Sequence, residues 1–411
     1  MNSGEVRGIE KKRGSSVGGR KQGLRRAGRV VARPAVAIAS LCALFVFVIA
    51  ARPAQAQTFS VLHTFNGTDG AYPEGPLIMD GTGNLYGTTS GIFGVMDGTV
   101  FKLIPASLVL HTFTGQDGSQ PYAGLIRDAQ GNLYGTTKYG GTYGNGTVFE
   151  LTPSGTEIVL HNFTGGADGG YPFATLVADT NGTTLYGTTA YGGAFGYGTV
   201  FVVLIPGKVE GVLYNFTGGQ DGSRPYAGLV RDALGNLYGT TYLGGVNGYG
   251  TVFEVTLSGV ETVLYSFTGG QDGANPYAGL IRDSQGTLYG TTYLGGVYGV
   301  GTVFEVFVPS GNERVLHSFA GHGKDGSNPA GGLVQDSNGI LYGTTYHGGA
   351  QNDGTAFSLT PSGAERVLHS FTGGADGGLP SAGVILDQQG YLYGTTLNGG
   401  AYNYGTVFKL R

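Results

Sequence analysis

From residue 58 onward the chain alternates short apolar segments with stretches rich in Gly, Asp, Asn and Pro. Four such segments recur in fixed order. In one period they read AGLVRD (227–232), NLYGTT (236–241), GTVFEVT (250–256) and ETVLYSF (261–267). Each is short and rich in Val, Leu, Tyr, Phe and Thr, which is the composition and length of a β-strand. No stretch after residue 57 carries apolar residues at helical spacing, so the pattern predicts an all-β chain.

The pentapeptide LYGTT marks the period. Its tyrosines are Tyr86, Tyr134, Tyr186, Tyr238, Tyr289, Tyr342 and Tyr393, at spacings of 48, 52, 52, 51, 53 and 51 residues. A unit of this length repeated in tandem is one supersecondary module per copy. Between its first and second segments stands a tight Asp and Gly turn, such as Asp232 to Gly235, and between its third and fourth a turn such as Pro361-Ser-Gly363. A longer Gly-rich loop joins the second to the third. This is a four-stranded antiparallel meander, and seven of them predict a seven-bladed β-propeller. A β-solenoid fits less well, because its coils are shorter and need no four-strand meander.

The two ends carry the argument further. Residues 58–65 (TFSVLHTF) read as a fourth-type strand with no blade before it, and 405–410 (GTVFKL) as a third-type strand with no successor. Pairing them completes the seventh blade and removes an exposed sheet edge.

Residues 1–57 differ from the rest. They hold 11 of the 23 Lys and Arg against two acids, followed by the apolar run 34–51 and small residues at Ala54 and Ala56. This is the layout of a secretory signal peptide with a long basic leader, residues 1–56, predicted to be cut after Ala56 and to leave the propeller as 57–411. Retained, the same apolar run would be an N-terminal anchor near the lower length limit for a span. After residue 56 there remain 12 Lys and Arg and 25 Asp and Glu, so the formal charge of −4 for the whole chain becomes about −13 (12 − 25) for the exported part. Such an acidic surface argues against binding nucleic acid or anionic lipid. Cys42 lies in the leader, so disulfides do not contribute to the propeller. A secreted or periplasmic bacterial protein, without a membrane span after cleavage and monomeric, is expected.

Segments such as 121–128 (PYAGLIRD) followed by 131–134 (GNLY) resemble the blade start of NHL-type propellers. The complete unit, over residues 58–411, resembles the GloVer tandem repeat of exported bacterial proteins. That resemblance implies export; the C-terminal anchor frequent in the family is not expected after Lys409-Leu410-Arg411.

Fourteen of the 16 aspartates after residue 57 fall into two registers. Asp80, Asp128, Asp179, Asp232, Asp283, Asp336 and Asp387 precede the tight turn and read as Asx-turn residues. Asp69, Asp117, Asp168, Asp221, Asp272, Asp325 and Asp376 lie in the interblade loop, which in a meander shares a face with the Gly-rich loop. That face also gathers Tyr139, Tyr191, Tyr242, Tyr293 and Tyr346. These two sets are the candidate ligand-binding residues, since carboxylates offer hard oxygen donors to calcium and tyrosines offer flat faces to sugars. The competing reading is that Asp-Gly simply makes a turn seven times. No copy has the several acidic ligands of a dedicated calcium loop, so no metal is assigned and no cofactor is predicted.

Chemistry peculiar to one site should stand where one copy departs from the others. His63, His111, His161, His317 and His369 share one outer-strand position with Tyr214 and Tyr265, and are read as packing residues with a polar tip. His322, in an interblade loop one residue longer than the rest, His347 and Asp353 are irregular and could serve acid and base roles or bind a transition metal. Glu74, Asp97, Lys138 and Arg224 depart likewise. Nucleophile-elbow, metalloprotease and phosphate-loop signatures are absent. The expectation is a binding scaffold for an extracellular glycan or protein on the long-loop face, with a lyase or hydrolase, or a purely structural surface protein, as alternatives.

Overall fold

The computed structural model describes residues 58–103, 106–321, 323 and 325–411. The expected leader, its cleavage point and His322 lie outside these residues. Seven four-stranded antiparallel sheets form a seven-bladed β-propeller, with one 3₁₀ turn, Ile205–Gly207, as the helical element among the described residues. In the fourth blade the strands are Val230–Arg231, Leu237–Thr241, Thr251–Val255 and Glu261–Ser266, paired in chain order from the axis outward. The seventh blade takes its outer strand from the other end of the chain. Phe59–Thr64 pairs with Thr406–Leu410, from Phe59 opposite Leu410 to Thr64 opposite Thr406. The expected closure is present.

The structure accounts for LYGTT one residue at a time. Its leucines are buried between blades, as Leu237 is beside Phe216 and Phe253. In six of the seven copies its tyrosine hydroxyl donates to the turn aspartate, at 3.0 Å from Tyr86 to Asp80 and 3.1 Å from Tyr238 to Asp232. A Cβ on its glycine would clash with the third-strand phenylalanine, 2.6 Å from the Phe253 ring at Gly239. In five of the seven copies the first threonine reaches the next blade, as where Thr344 Oγ1 donates to the Ala382 carbonyl at 2.7 Å. The second pairs with the threonine that opens the third strand of its own blade, as Thr345 does with Thr355 at 2.8 Å.

Between blades, phenylalanines meet edge to face. Phe267, at the end of one outer strand, stands 5.1 Å from Phe304 in the third strand of the next blade, and both are fully buried. Burial of such a ring contributes about 1.5–3 kcal/mol, and the edge-to-face contact about 0.5–1.5 kcal/mol more. Every third and outer strand pair also shifts register at one point, such as between Val252 and Phe253, where Leu264 of the outer strand is the extra residue. The bulge resets the alternation there.

One expectation is corrected. The inner segments, read as strands such as AGLVRD (227–232), pair over only two residues, Val230–Arg231 in the fourth blade. The rest of each inner segment packs around the axis against its neighbours. The Ala123 carbonyl accepts from Thr88 of the preceding blade, and a Cβ on Gly75 would lie 2.5 Å from that same oxygen. These backbone groups serve the ring as a whole.

Candidate functional site

The interblade loop and the Gly-rich loop share one face and are bonded to each other, as in Ser119 N to Tyr139 O at 2.8 Å and the reverse bond at 3.0 Å. The residue before each interblade proline, for example Asn275, is left-handed (φ 56°), an unfavourable state for a side chain other than glycine. Two hydrogen bonds hold it there. Asn275 N donates to Tyr249 O of the preceding blade at 2.8 Å, and Asn275 O accepts from Tyr293 N at 3.1 Å. The residue that follows LYGTT is pinned by this second bond.

Each interblade aspartate is engaged within its own loop and outer strand. Asp221 accepts from Thr217 N at 2.7 Å and Tyr214 Oη at 3.0 Å, and Asp272 from Thr268 N at 2.7 Å and Tyr265 Oη at 2.9 Å. Where the tyrosine is replaced, histidine takes its part. His Nε2 to Asp Oδ2 distances are 2.8 Å for His63 and Asp69, 3.0 Å for His111 and Asp117, 3.1 Å for His161 and Asp168, and 3.0 Å for His369 and Asp376. In the sixth blade's approach the pair is wider, with His317 and Asp325 at 3.6 Å, while Asp325 accepts from Ala320 N at 2.6 Å. His or Tyr at this position thus turns a polar atom to the loop carboxylate while its ring packs edge-on against the phenylalanine two residues on, as His111 does on Phe113 and Tyr214 on Phe216.

His347 and Asp353 do not meet in a hydrogen bond or ion pair among the described residues. His347 bridges to Ser327 through its backbone and packs edge-on against Tyr346 at 4.7 Å. The grouping with metal-ligand spacing among the described residues is His317, Asp325 and Glu365, whose donor atoms lie within 4.8 Å of one another. Glu365 has counterparts in Glu157, Glu210, Glu261 and Glu313, whose carboxyls are each pushed up to about 7, first by burial and then by the charge of the preceding blade's aspartate.

The departures Glu74 and Lys138 come together at the mouth of the central channel. One residue per blade projects from the start of the inner segment: Tyr122, Phe173, Tyr226 and Tyr277 on one arc, and Ala330, Ser381 and Glu74 on the other. Together they bound a cavity of about 310 Å³. Tyr242, Tyr293, Tyr346 and Leu397, each following LYGTT, line an adjoining recess of about 380 Å³ that also includes Glu74 and Tyr277. Tyr139 and Tyr191 occupy a different position, one residue further along. They pack on either side of Tyr171 at 5.5 and 5.7 Å, and Tyr191 Oη is 3.2 Å from Tyr226 Oη. The five tyrosines grouped from sequence therefore divide into two sets.

Glu74 accepts from Ser90 Oγ at 3.1 Å. Burial pushes its carboxyl up to about 7, against the pull of Ser90 and of the Lys138 charge. Lys138 Nζ is 4.7 Å from the ring centroids of Tyr122 and Tyr139 and 4.5 Å from that of Phe173, an ammonium caged by aromatic faces. Burial, then the charge of Glu74, pushes the Tyr277 phenol up to about 12. Of the other departures, Asp97 accepts from Ser119 Oγ at 2.6 Å, and Arg224 lies over Tyr191 at 5.4 Å. Sequence reading missed the inner ring of Tyr122, Phe173, Tyr226 and Tyr277. The signal was the residue after each interblade proline, aromatic in four consecutive copies (Tyr122, Phe173, Tyr226, Tyr277) and small or acidic in the other three (Ala330, Ser381, Glu74).

On this same face the Gly-rich loops end in exposed apolar tips. Phe93 is 86% exposed, Tyr298 62% and Tyr402 61%, and Tyr143, Phe195 and Val246 are exposed in the same way. The sixth blade has Gln351 and Asn352 there instead.

Fold and site together define a repeat β-propeller whose one elaborated face surrounds an aromatic channel mouth. The chain belongs to the Gloeobacter/Verrucomicrobia repeat family, whose model matches residues 46–201 and 181–408. The resemblance drawn from the repeats is thereby shown. No relative among curated proteins matches the sequence. Among solved structures, virginiamycin B lyase from Staphylococcus aureus is similar at 12% identity and a TM-score of 0.56, over 86% of this chain and 98% of that one. The extracellular domain of a one-component system from B. thetaiotaomicron is similar at 11% identity and a TM-score of 0.52, over 85% of this chain and 39% of that one. At these identities the likeness is one of fold. Among the described residues no helix is long and apolar enough to cross a membrane.

Proposed function

We propose that this protein is an exported binding propeller that captures an extracellular glycan on its long-loop face. The observation that carries the reading is the crown of exposed tips, with aromatic rings at Phe93, Tyr143, Phe195, Tyr298 and Tyr402. A flat ring held on a rigid loop stacks on the C–H face of a sugar at little cost in conformational entropy. The balance of 12 basic against 25 acidic residues after position 56 disfavours nucleic acid and anionic membrane as the partner. Tips set around an axis present repeated contacts, which suits a repeating polymer.

A lyase or hydrolase reading has less support, since His347 and Asp353 are not joined to each other. The test is a glycan array probed with the exported protein and with a Phe93→Ser, Tyr143→Ser, Phe195→Ser, Tyr402→Ser variant. Binding of a glycan class by the first and its loss in the second, at unchanged melting temperature, is expected. An array without hits, or hits that survive the four substitutions, would overturn the reading.

A further inference from the structure

The mouth of the channel carries an inference of its own, independent of the glycan contacts at the loop tips. We propose that it is a binding site for a compact alkylammonium ion, held between the Glu74 carboxylate and the ring faces of Tyr242, Tyr277, Tyr293 and Tyr346.

Four observations lead there. First, the lining is aromatic on one side and carries a single carboxylate on the other, with Ala330 and Ser381 leaving room between them. Ring faces are negative and attract a cation, most strongly when water is displaced. An anion would be repelled by Glu74, and a neutral ligand would gain nothing from its charge, which within the chain is met by one hydrogen bond from Ser90 and the ammonium of Lys138. The recess of about 380 Å³ is within the size range of small-molecule sites.

Second, the same mouth already accommodates an ammonium from the chain itself. Lys138 fills the cage made by Tyr122, Tyr139 and Phe173 at 4.5–4.7 Å. Among the described residues no Lys or Arg stands over Tyr242, Tyr277, Tyr293 or Tyr346. The second arc therefore has the chemistry of the first without its cation.

Third, the arc is built in advance. Tyr242 N, Tyr293 N and Tyr346 N each donate at 3.1 Å to the carbonyls of Arg224, Asn275 and Asn328, the left-handed residues that tie each blade to the one before it. The tyrosine rings pack on neighbours, Tyr277 on Tyr242 and Tyr293 at 6.1 and 6.3 Å and Tyr346 on His347 at 4.7 Å, and rings packed before binding lose little freedom on complex formation.

Fourth, Glu74 is electrostatically connected to this arc as well as to Lys138. Its charge raises the phenols of Tyr277 and Tyr346, in each case second to burial. The groups that face Glu74 are Ser90, Lys138, Tyr122, Tyr277 and Tyr346. A bound cation favours the ionised carboxylate, so binding releases a proton near neutral pH and strengthens as pH rises through about 7.

The test is calorimetric titration of the exported protein with choline and with glucosamine, against 3,3-dimethylbutan-1-ol and N-acetylglucosamine as uncharged counterparts. We expect at least one ammonium to bind and its neutral counterpart to bind about tenfold more weakly or not at all. Preference for glucosamine over choline places the source in an amino sugar, and the reverse preference in a quaternary amine. Glu74→Gln keeps an acceptor for Ser90 and should weaken the ammonium by about tenfold at an unchanged melting temperature. Tyr346→Leu gives a second reading of the site should the first variant not fold. Equal affinity for charged and neutral partners, no binding up to ~10 mM ammonium, or full binding by a folded Glu74→Gln or Tyr346→Leu protein would overturn the proposal.

Discussion

The ammonium of Lys138 lies 4.5 Å from the centroid of the Phe173 ring, and the two belong to neighbouring blades. A side chain from the end of a second strand is therefore seated on an inner-segment ring of the next repeat. The contact joins the mouth of the channel to the stability of the blade interface, and it places a positive charge within reach of Glu74.

Removing that charge should be visible at Glu74. In Lys138→Met the stem still packs, but the pull on the carboxyl is gone, so its pKa should rise above the value of about 7. Carbon-detected NMR titration of the glutamate carboxyls measures this. A resonance that titrates as in the parent would show that the two groups do not interact.

Stability should fall as the pH rises through neutrality. Glu157, Glu210, Glu261, Glu313 and Glu365 have folded pKa values of about 7, raised from the ordinary 4.5 by burial and then by Asp117, Asp168, Asp221, Asp272 and Asp325. The folded chain then holds protons that the unfolded chain has released. Their stabilisation is complete below about pH 4.5 and is lost as pH passes 7, by about 1 kcal/mol per glutamate after allowance for solvent screening. Asp179 and Asp325 are shifted the other way, so their contribution changes only under more acidic conditions. A higher melting temperature at pH 5 than at pH 8 is expected, and changing all five to Gln should flatten the difference. A melting temperature that rises from pH 5 to pH 8 would contradict this account.

The seven copies of the first LYGTT threonine are not equivalent. Thr344 donates to Ala382 O at 2.7 Å, whereas the Oγ1 atoms of Thr291 and Thr395 are buried with no partner. Thr344→Val should cost about 1–3 kcal/mol, because it leaves a buried carbonyl unpaired. Thr291→Val should be neutral or slightly stabilising, since it removes a hydroxyl that bonds to nothing. Urea unfolding of the two variants decides, and equal losses would dismiss the distinction.

The ring should depend on its first strand. The Phe59 ring stacks on His369 of the sixth blade at 3.8 Å, while its backbone pairs with Leu410. Deleting residues 58–65 uncovers the edge of Thr406–Leu410 and should produce concentration-dependent association. Sedimentation velocity at two concentrations tests it; a stable monomer at both would mean that the seventh blade tolerates an open edge.

Much of the architecture was legible because it is repeated. Seven LYGTT motifs, two kinds of turn and one surplus strand left only a closed seven-bladed ring, and the shared face of the interblade and Gly-rich loops followed from meander topology. The turn aspartates also read correctly as local devices: Asp232 accepts from Leu234 N and Asn236 N, each at 2.9 Å. The shortness of the inner strands was not legible, since a sequence of strand composition does not reveal that its backbone carbonyls will be taken by the neighbouring blade.

The candidate site divides along the same line. Local sequence determined what every blade has in common, because a hydrogen bond between Tyr214 and Asp221 spans seven residues and needs only its own loop. It could not separate Tyr242 from Tyr139, which look alike in sequence but differ by one position and so project to different places. Nor could it bring Glu74 beside Tyr277 and Tyr346, which lie 203 (277 − 74) and 272 (346 − 74) residues further along the chain. Only closure of the ring places them around one axis, where burial changes the carboxyl and opposed arcs become a single cavity.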